Sequence, residues 1–147
     1  MPKIIKITEQ VFDVLIAFTD GACLGNPGPM GVGIVLYRDG IRVEELSEYI
    51  GEGTNNVAEY AAVIKALETV HDMGEMKVHV KSDSQLLIKQ LNGEYRVRDP
   101  KLQPLKKKID LLCVGIETHF EHIPREKNNE ADKLSKEAAE LGKRQKK

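Results

Sequence analysis

The chain has 147 residues, 41% of them apolar, which is enough to bury one core without disulfides or a structural metal. Its two cysteines, Cys23 and Cys113, lie far from any Cys/His cluster, and no run approaches the roughly 20 apolar residues of a membrane helix; a zinc fold, a disulfide framework and a membrane span are thereby excluded. The net charge of −1 hides an asymmetry, with residues 1–80 summing to −6 and residues 81–147 to +5, so an acidic site and a basic surface are expected on one small body.

The first ten residues, MPKIIKITEQ, lack a signal-peptide core, so a cytoplasmic protein is expected, with these residues as an extension outside the fold. Residues 11–20 are apolar and β-prone, and Gly25, Asn26, Pro27, Gly28 and Pro29 end the strand in a hairpin-like loop. Residues 31–37 (GVGIVLY) form a second strand, Asp39 and Gly40 a tight turn, and residues 41–49 a third strand. The period then changes: Val57, Ala61, Ile64, Leu67 and Val70 mark one buried helical face, closed by Gly74. A short strand is predicted over 77–81, a short helix over 84–91 with Leu87, Ile88 and Leu91 inward, and a further helix over 102–112. Residues 117–123 alternate as a strand that Pro124 breaks, and residues 130–141 are helical with Ala131, Leu134, Ala138 and Leu141 on one side, before a frayed tail, GKRQKK. The order βββαβααβα implies a mixed five-stranded sheet flanked by helices, of the α/β class, in a single domain with its core over about 11–141.

Four acids stand where this order brings loops together. Asp20 closes the first strand, although an Asp there can also start a turn. Glu59 follows Asn56 by three residues and Asp132 follows Asn129 by three, which are also capping-box spacings; Asp83, between strand and helix, could be a plain N-cap. Taken jointly the acids converge, because strands one and four are expected to be neighbours. Clustered carboxylates with no Lys or Arg in the motifs beside them call for a divalent cation, and an oxygen-only set favours Mg²⁺ or Mn²⁺. Two such ions suit phosphodiester hydrolysis.

The segments FTDGACLGNPGPMGVGIVLY, GTNNVAEY, SDSQLLIKQLNGEY and HIPREKNNEADKLS together resemble the type 1 ribonuclease H family, in the same order, over about residues 14–141. The resemblance implies a ribonuclease-H-like fold and an endonuclease that cuts the RNA strand of RNA/DNA hybrids, leaving 5′-phosphate and 3′-hydroxyl ends. It places two metal ions on Asp20, Glu59, Asp83 and Asp132. Selecting the RNA strand requires sensing its 2′-hydroxyl. The resemblance assigns hybrid contacts to Asn26, Asn55 and Gln85 and a DNA-phosphate contact to Thr54, with Gly21, Cys23 and Asn56 completing the substrate surface. No obligate protein partner is evident in the sequence, and a monomer is expected.

Longer members of that family carry a basic handle between the second helix and the last strand. The span NGEYRVRDPKLQPLKKKIDLL is too short for it, which leaves Lys89, Arg96, Arg98, Lys101, Lys106, Lys107 and Lys108 to supply part of the charge. Many members also place a histidine in the loop before the last acid. His122 has a consistent spacing but reads as a strand residue sharing a face with Phe120, and if the loop is shorter Arg125 takes the position. An idle nucleic-acid-binding module on the same fold is the rival reading, and a junction-cutting nuclease fits the NNVAEY and SDSQ motifs poorly.

Overall fold

The computed structural model describes residues 14–145. The expected N-terminal extension, the 11–13 portion of the first strand and the last two tail residues fall outside them. The described elements follow the expected order: β1 (Leu15–Cys23), β2 (Gly28–Arg38), β3 (Ile41–Gly53), α1 (Asn55–Asp72), β4 (Lys77–Ser82), α2 (Gln85–Leu91), α3 (Gln103–Leu112), β5 (Glu117–His122) and α4 (Asn129–Gln145), with a 3-10 turn at Arg125–Lys127 before α4. The sheet order is β3-β2-β1-β4-β5, antiparallel among the first three strands and parallel from β1 through β4 to β5.

The sheet separates two layers of helix, and two glycines show how. Gly21 and Gly33 lie on opposite faces, since Gly21 is level with Val32 and Gly33 with Asp20. A Cβ on Gly21 would sit 2.2 Å from the Ala58 carbonyl carbon in α1, and one on Gly33 would sit 2.2 Å from the Ala131 oxygen in α4. The bare backbone lets both helices approach closely, one on each face. On the α1 side, Leu15, Ala17, Val32, Ile34 and Leu36 pack against Tyr60, Val63, Leu67 and Val70 of α1 and Ile109 of α3. Truncating one of these large side chains to alanine costs about 2–5 kcal/mol.

Several boundaries differ from the sequence expectation. β2 and β3 run longer than expected and β1 ends three residues later, at Cys23, because the three strands keep pairing past the acids and loops that seemed to stop them; Gly28 still pairs with Gly53. Asp20 is therefore inside β1, level with Gly33, rather than at its end. α1 is buried on a broader front than one stripe, because α3 packs against it as well as the sheet. In α4 the buried residues are Ala131, Ser135, Ala138, Ala139 and Gly142, while Leu141 is exposed. The close approach to Gly31 and Gly33 selects small residues, so the helix turns its Ala/Ser/Gly stripe inward. The expected frayed tail is helical through Gln145, with Gly142 packed so tightly on the Tyr49 ring that a Cβ would lie 2.1 Å from it.

Candidate active site

The site forms where two neighbouring strands part. β1 pairs with β4 only as far as Phe18 and Lys81, yet β1 continues five residues further beside β2. Beyond Lys81 the sheet has a notch, and Asp20 projects into it from the α4 face. From the other face α1 begins at Asn55, and Gly21 lets its first turn close in so that Glu59 reaches the same notch. Asp83 follows the end of β4, and Asp132 lies in the first turn of α4. Ligand oxygens of Asp20, Glu59 and Asp83 lie within 4.8 Å of one another. Asp132 borders the same cleft, which has a volume of about 290 Å³.

The capping alternatives are corrected. Thr54, not Asn56, caps α1, accepting from the Val57 amide at 3.3 Å, so Glu59 is released from any capping box. Ser84, not Asp83, caps α2 through the Leu87 amide. Asn129 gives its side-chain amide to the Glu126 carbonyl at 2.9 Å and is the first helical residue, so it forms no capping box with Asp132. At α1 and α2 the hydroxyl just before the helix takes the cap and leaves the acid unspent.

The electrostatics follow from the burial. Asp20 is 5% and Glu59 7% exposed. Burial, reinforced by Asp83 and Asp132, raises the Asp20 carboxyl to about 7 although the Ser135 hydroxyl opposes the shift. Burial, with Asp20 and Asp83 adding repulsion, raises Glu59 to about 9, opposed by the Gly21 amide and by Arg125. Glu59 Oε2 is buried with no hydrogen-bond partner, which leaves it free to ligate a cation. An orphaned carboxylate oxygen, an oxygen-only donor set and mutual repulsion all fit a hard divalent ion such as Mg²⁺ or Mn²⁺, which Asp20, Glu59 and Asp83, with Asp132 alongside, could hold.

The expectation that no base lies beside the acids is corrected. Arg125, in the 3-10 turn, and Lys136, one turn after Asp132, both line the cleft, and Lys136 Nζ lies 3.0 Å from Asp132 Oδ2. His122 ends β5, is exposed and does not line that cleft, so the packing expected of it beside Phe120 is slight. Of the residues expected to touch substrate, Gly21, Cys23 and Asn55 line the cleft. Asn26 holds the neighbouring loop to α1 by accepting the Asn55 amide at 3.0 Å. The Cys23 thiol turns toward the Gly28 and Gly53 carbonyls, and burial raises it. Asn56 and Gln85 are exposed near the starts of α1 and α2, outside the cleft.

Three polar residues went unread in the sequence. Ser135 donates to Asp20 Oδ2 at 2.6 Å, and Asn128 donates to Asp83 Oδ2 at 3.0 Å and to the Thr19 carbonyl at 2.9 Å. A hydroxyl on the small-residue stripe of α4 was the signal for Ser135. The acid-to-lysine spacing of four was the signal for Lys136.

A mixed sheet in this order, with helices on both faces and buried acids at the β1/β4 notch, is the ribonuclease-H-like fold. A family profile described as reverse transcriptase-like matches residues 18–138. Ribonuclease HI of Halobacterium salinarum is 44% identical over 124 residues, covering 83% of this chain and 62% of that relative, so the chain spans less than two thirds of its length. The crystal structure of RNase H1 from Halobacterium salinarum superposes with a TM-score of 0.84 at 42% identity, covering 86% of this chain and 98% of that one. LC11-RNase H1, solved in complex with RNA/DNA hybrid, superposes at 0.83 with 43% identity, covering 87% and 98%. The chain belongs to the type 1 ribonuclease H family.

Proposed function

We propose that this protein is an endoribonuclease that hydrolyses the RNA strand of RNA/DNA hybrids, using two divalent ions held by Asp20, Glu59, Asp83 and Asp132 and leaving 5′-phosphate and 3′-hydroxyl ends. The observation that carries the reading is the acid trio, with Asp20 and Glu59 buried and a Glu59 oxygen orphaned, in a chain similar to a relative solved with such a hybrid. Ions bound there would supply Lewis-acid stabilisation at the scissile phosphate.

The chain's own residues do the rest. Arg125 offers a permanent charge and several donors at the rim of the acid cleft, suited to a phosphate oxygen and unsuited to moving a proton near neutral pH. Asn26, Asn55 and Gln85, with Gly21, Cys23 and Asn56, form the surface where a 2′-hydroxyl is read, while Thr54 faces the DNA strand. Further along, Tyr95, Arg96, Lys106 and Lys107 line a groove of about 820 Å³, and Lys89 Nζ sits 4.9 Å from the Tyr95 ring centroid. Cations interleaved with an exposed aromatic suit a nucleic-acid backbone, so this groove takes the part of the missing handle. The protein is proposed to act in the cytoplasm as a monomer folded in one domain; no helix among the described residues is long and apolar enough to cross a membrane.

The test is cleavage of labelled hybrid, duplex DNA and duplex RNA with Mg²⁺, Mn²⁺ or EDTA, by wild type and Asp20→Asn. Hybrid-only, metal-dependent cleavage of the RNA strand, absent in the variant, is expected. Hybrid binding with no cleavage under any metal would establish the idle module instead.

A further inference from the structure

We infer that Ser135 and Asn128 are positioning residues that set cation affinity and selectivity, by engaging one oxygen each of Asp20 and Asp83 before any ion binds; this rests on the divalent-cation reading above. The geometry is specific. Ser135 Oγ donates to Asp20 Oδ2 at 2.6 Å, and Asn128 Nδ2 donates to Asp83 Oδ2 at 3.0 Å while anchored to the Thr19 carbonyl at 2.9 Å. Both are fully enclosed, Ser135 at 0% and Asn128 at 1% exposure. At Glu59 the Gly21 amide opposes the upward shift, and Oε2 is left without a partner. Asp20 and Asp83 thus each meet one neutral side-chain donor.

The consequence is mechanical. A carboxylate with one oxygen held by a donor is hindered from rotating and offers that oxygen to an ion less readily, so the trio is biased toward single-oxygen donation. Mg²⁺ demands a compact, nearly octahedral shell and keeps several waters, which suits such donors, whereas Ca²⁺ takes more oxygens and accepts carboxylates through both. The fold supplies both donors from the start of α4. Asn128, just before the helix, is anchored on the Thr19 carbonyl of β1 and reaches Asp83, and Ser135 is pressed onto the sheet because Gly31 and Gly33 leave no Cβ between them and the helix backbone. Neither residue is placed to touch substrate.

The experiment measures Mg²⁺ and Ca²⁺ binding calorimetrically on wild type, Ser135→Ala, Ser135→Cys, Asn128→Ala and Asp20→Asn, with melting in chelator as the check on folding. Loss of a hydrogen bond that orients a metal ligand typically weakens binding about 10- to 100-fold. Ser135→Ala, which removes one buried oxygen atom, should fold, bind Mg²⁺ at least about 10-fold more weakly and lose part of its preference for Mg²⁺ over Ca²⁺. Ser135→Cys, with its weaker donor, should fall between the two, and Asn128→Ala should repeat the effect at Asp83. A residue with a packing role alone would move the melting temperature and leave the Mg²⁺/Ca²⁺ ratio untouched. Wild-type affinity and ratio in Ser135→Ala, with binding lost in Asp20→Asn, overturns the clamp alone. Unchanged binding in Asp20→Asn overturns the cation reading and the clamp with it.

Discussion

Replacing Glu59 by glutamine in metal-free protein is expected to stabilise it at pH 7 and to do little at pH 4. The folded carboxyl is raised from its ordinary 4.5 to about 9, first by burial and then by Asp20 and Asp83. A raised folded pKa means that between those limits the folded chain binds more protons than the unfolded chain, so stability falls as pH rises. From 4.5 to 7, at about 1.4 kcal/mol per pH unit, the wild type loses on the order of 3 kcal/mol through this one group. Glu59 is 7% exposed, so solvent screening does not erode the figure much. A glutamine carries no charge to bury and escapes the loss, giving a melting temperature higher by roughly 6 to 12 °C at pH 7 for a domain of this size. Urea or thermal melts in EDTA across pH 4 to 8 provide the readout, and added Mg²⁺ should restore the wild type while leaving the variant unmoved. A wild-type stability that climbs with pH through this window, or a variant no more stable at pH 7, would refute the reading of Glu59 as a buried acid awaiting a cation.

Arg125→Ala should lower turnover about 10-fold, the scale of one charged phosphate contact, whereas His122→Ala should leave both turnover and melting temperature near wild type because His122 is exposed at the end of β5. A large turnover loss in the histidine variant would return the loop role to His122. Replacing Lys106, Lys107 and Lys108 by alanine should weaken hybrid binding and reduce the slope of log affinity against log salt by about one for each lysine that meets a phosphate, with turnover of bound hybrid unchanged; an unaltered slope removes α3 from the interface. Gly21→Ala should cost both stability and metal binding, since its Cβ would sit 2.2 Å from the Ala58 carbonyl carbon and push the start of α1 off the sheet. Wild-type melting in that variant would show the helix is not held there.

The local pattern carried the order of elements, because period-two and helical spacings are written along the chain and each strand and helix here is long enough to show one. It also carried the family, since the segments around Asp20, Glu59, Asp83 and Asp132 lie in one order at one spacing. What the pattern could not carry was any quantity set by contact across the sheet. Asn56, Asp83 and Asn129 looked like caps because capping is a local signature, and only the packed chain shows Thr54 and Ser84 taking the caps and the acids turned into the notch. Leu141 looked inward by spacing, yet glycines at 31 and 33, about a hundred residues earlier, decide that the small residues of α4 face the sheet. Ser135 and Asn128 reach their acids over sequence separations of 115 and 45 residues. Side-chain type along the chain determined which groups could bind a cation; burial of that set, and the neutral donors holding it, exist only once β1 and β4 part and the two helices close on the gap.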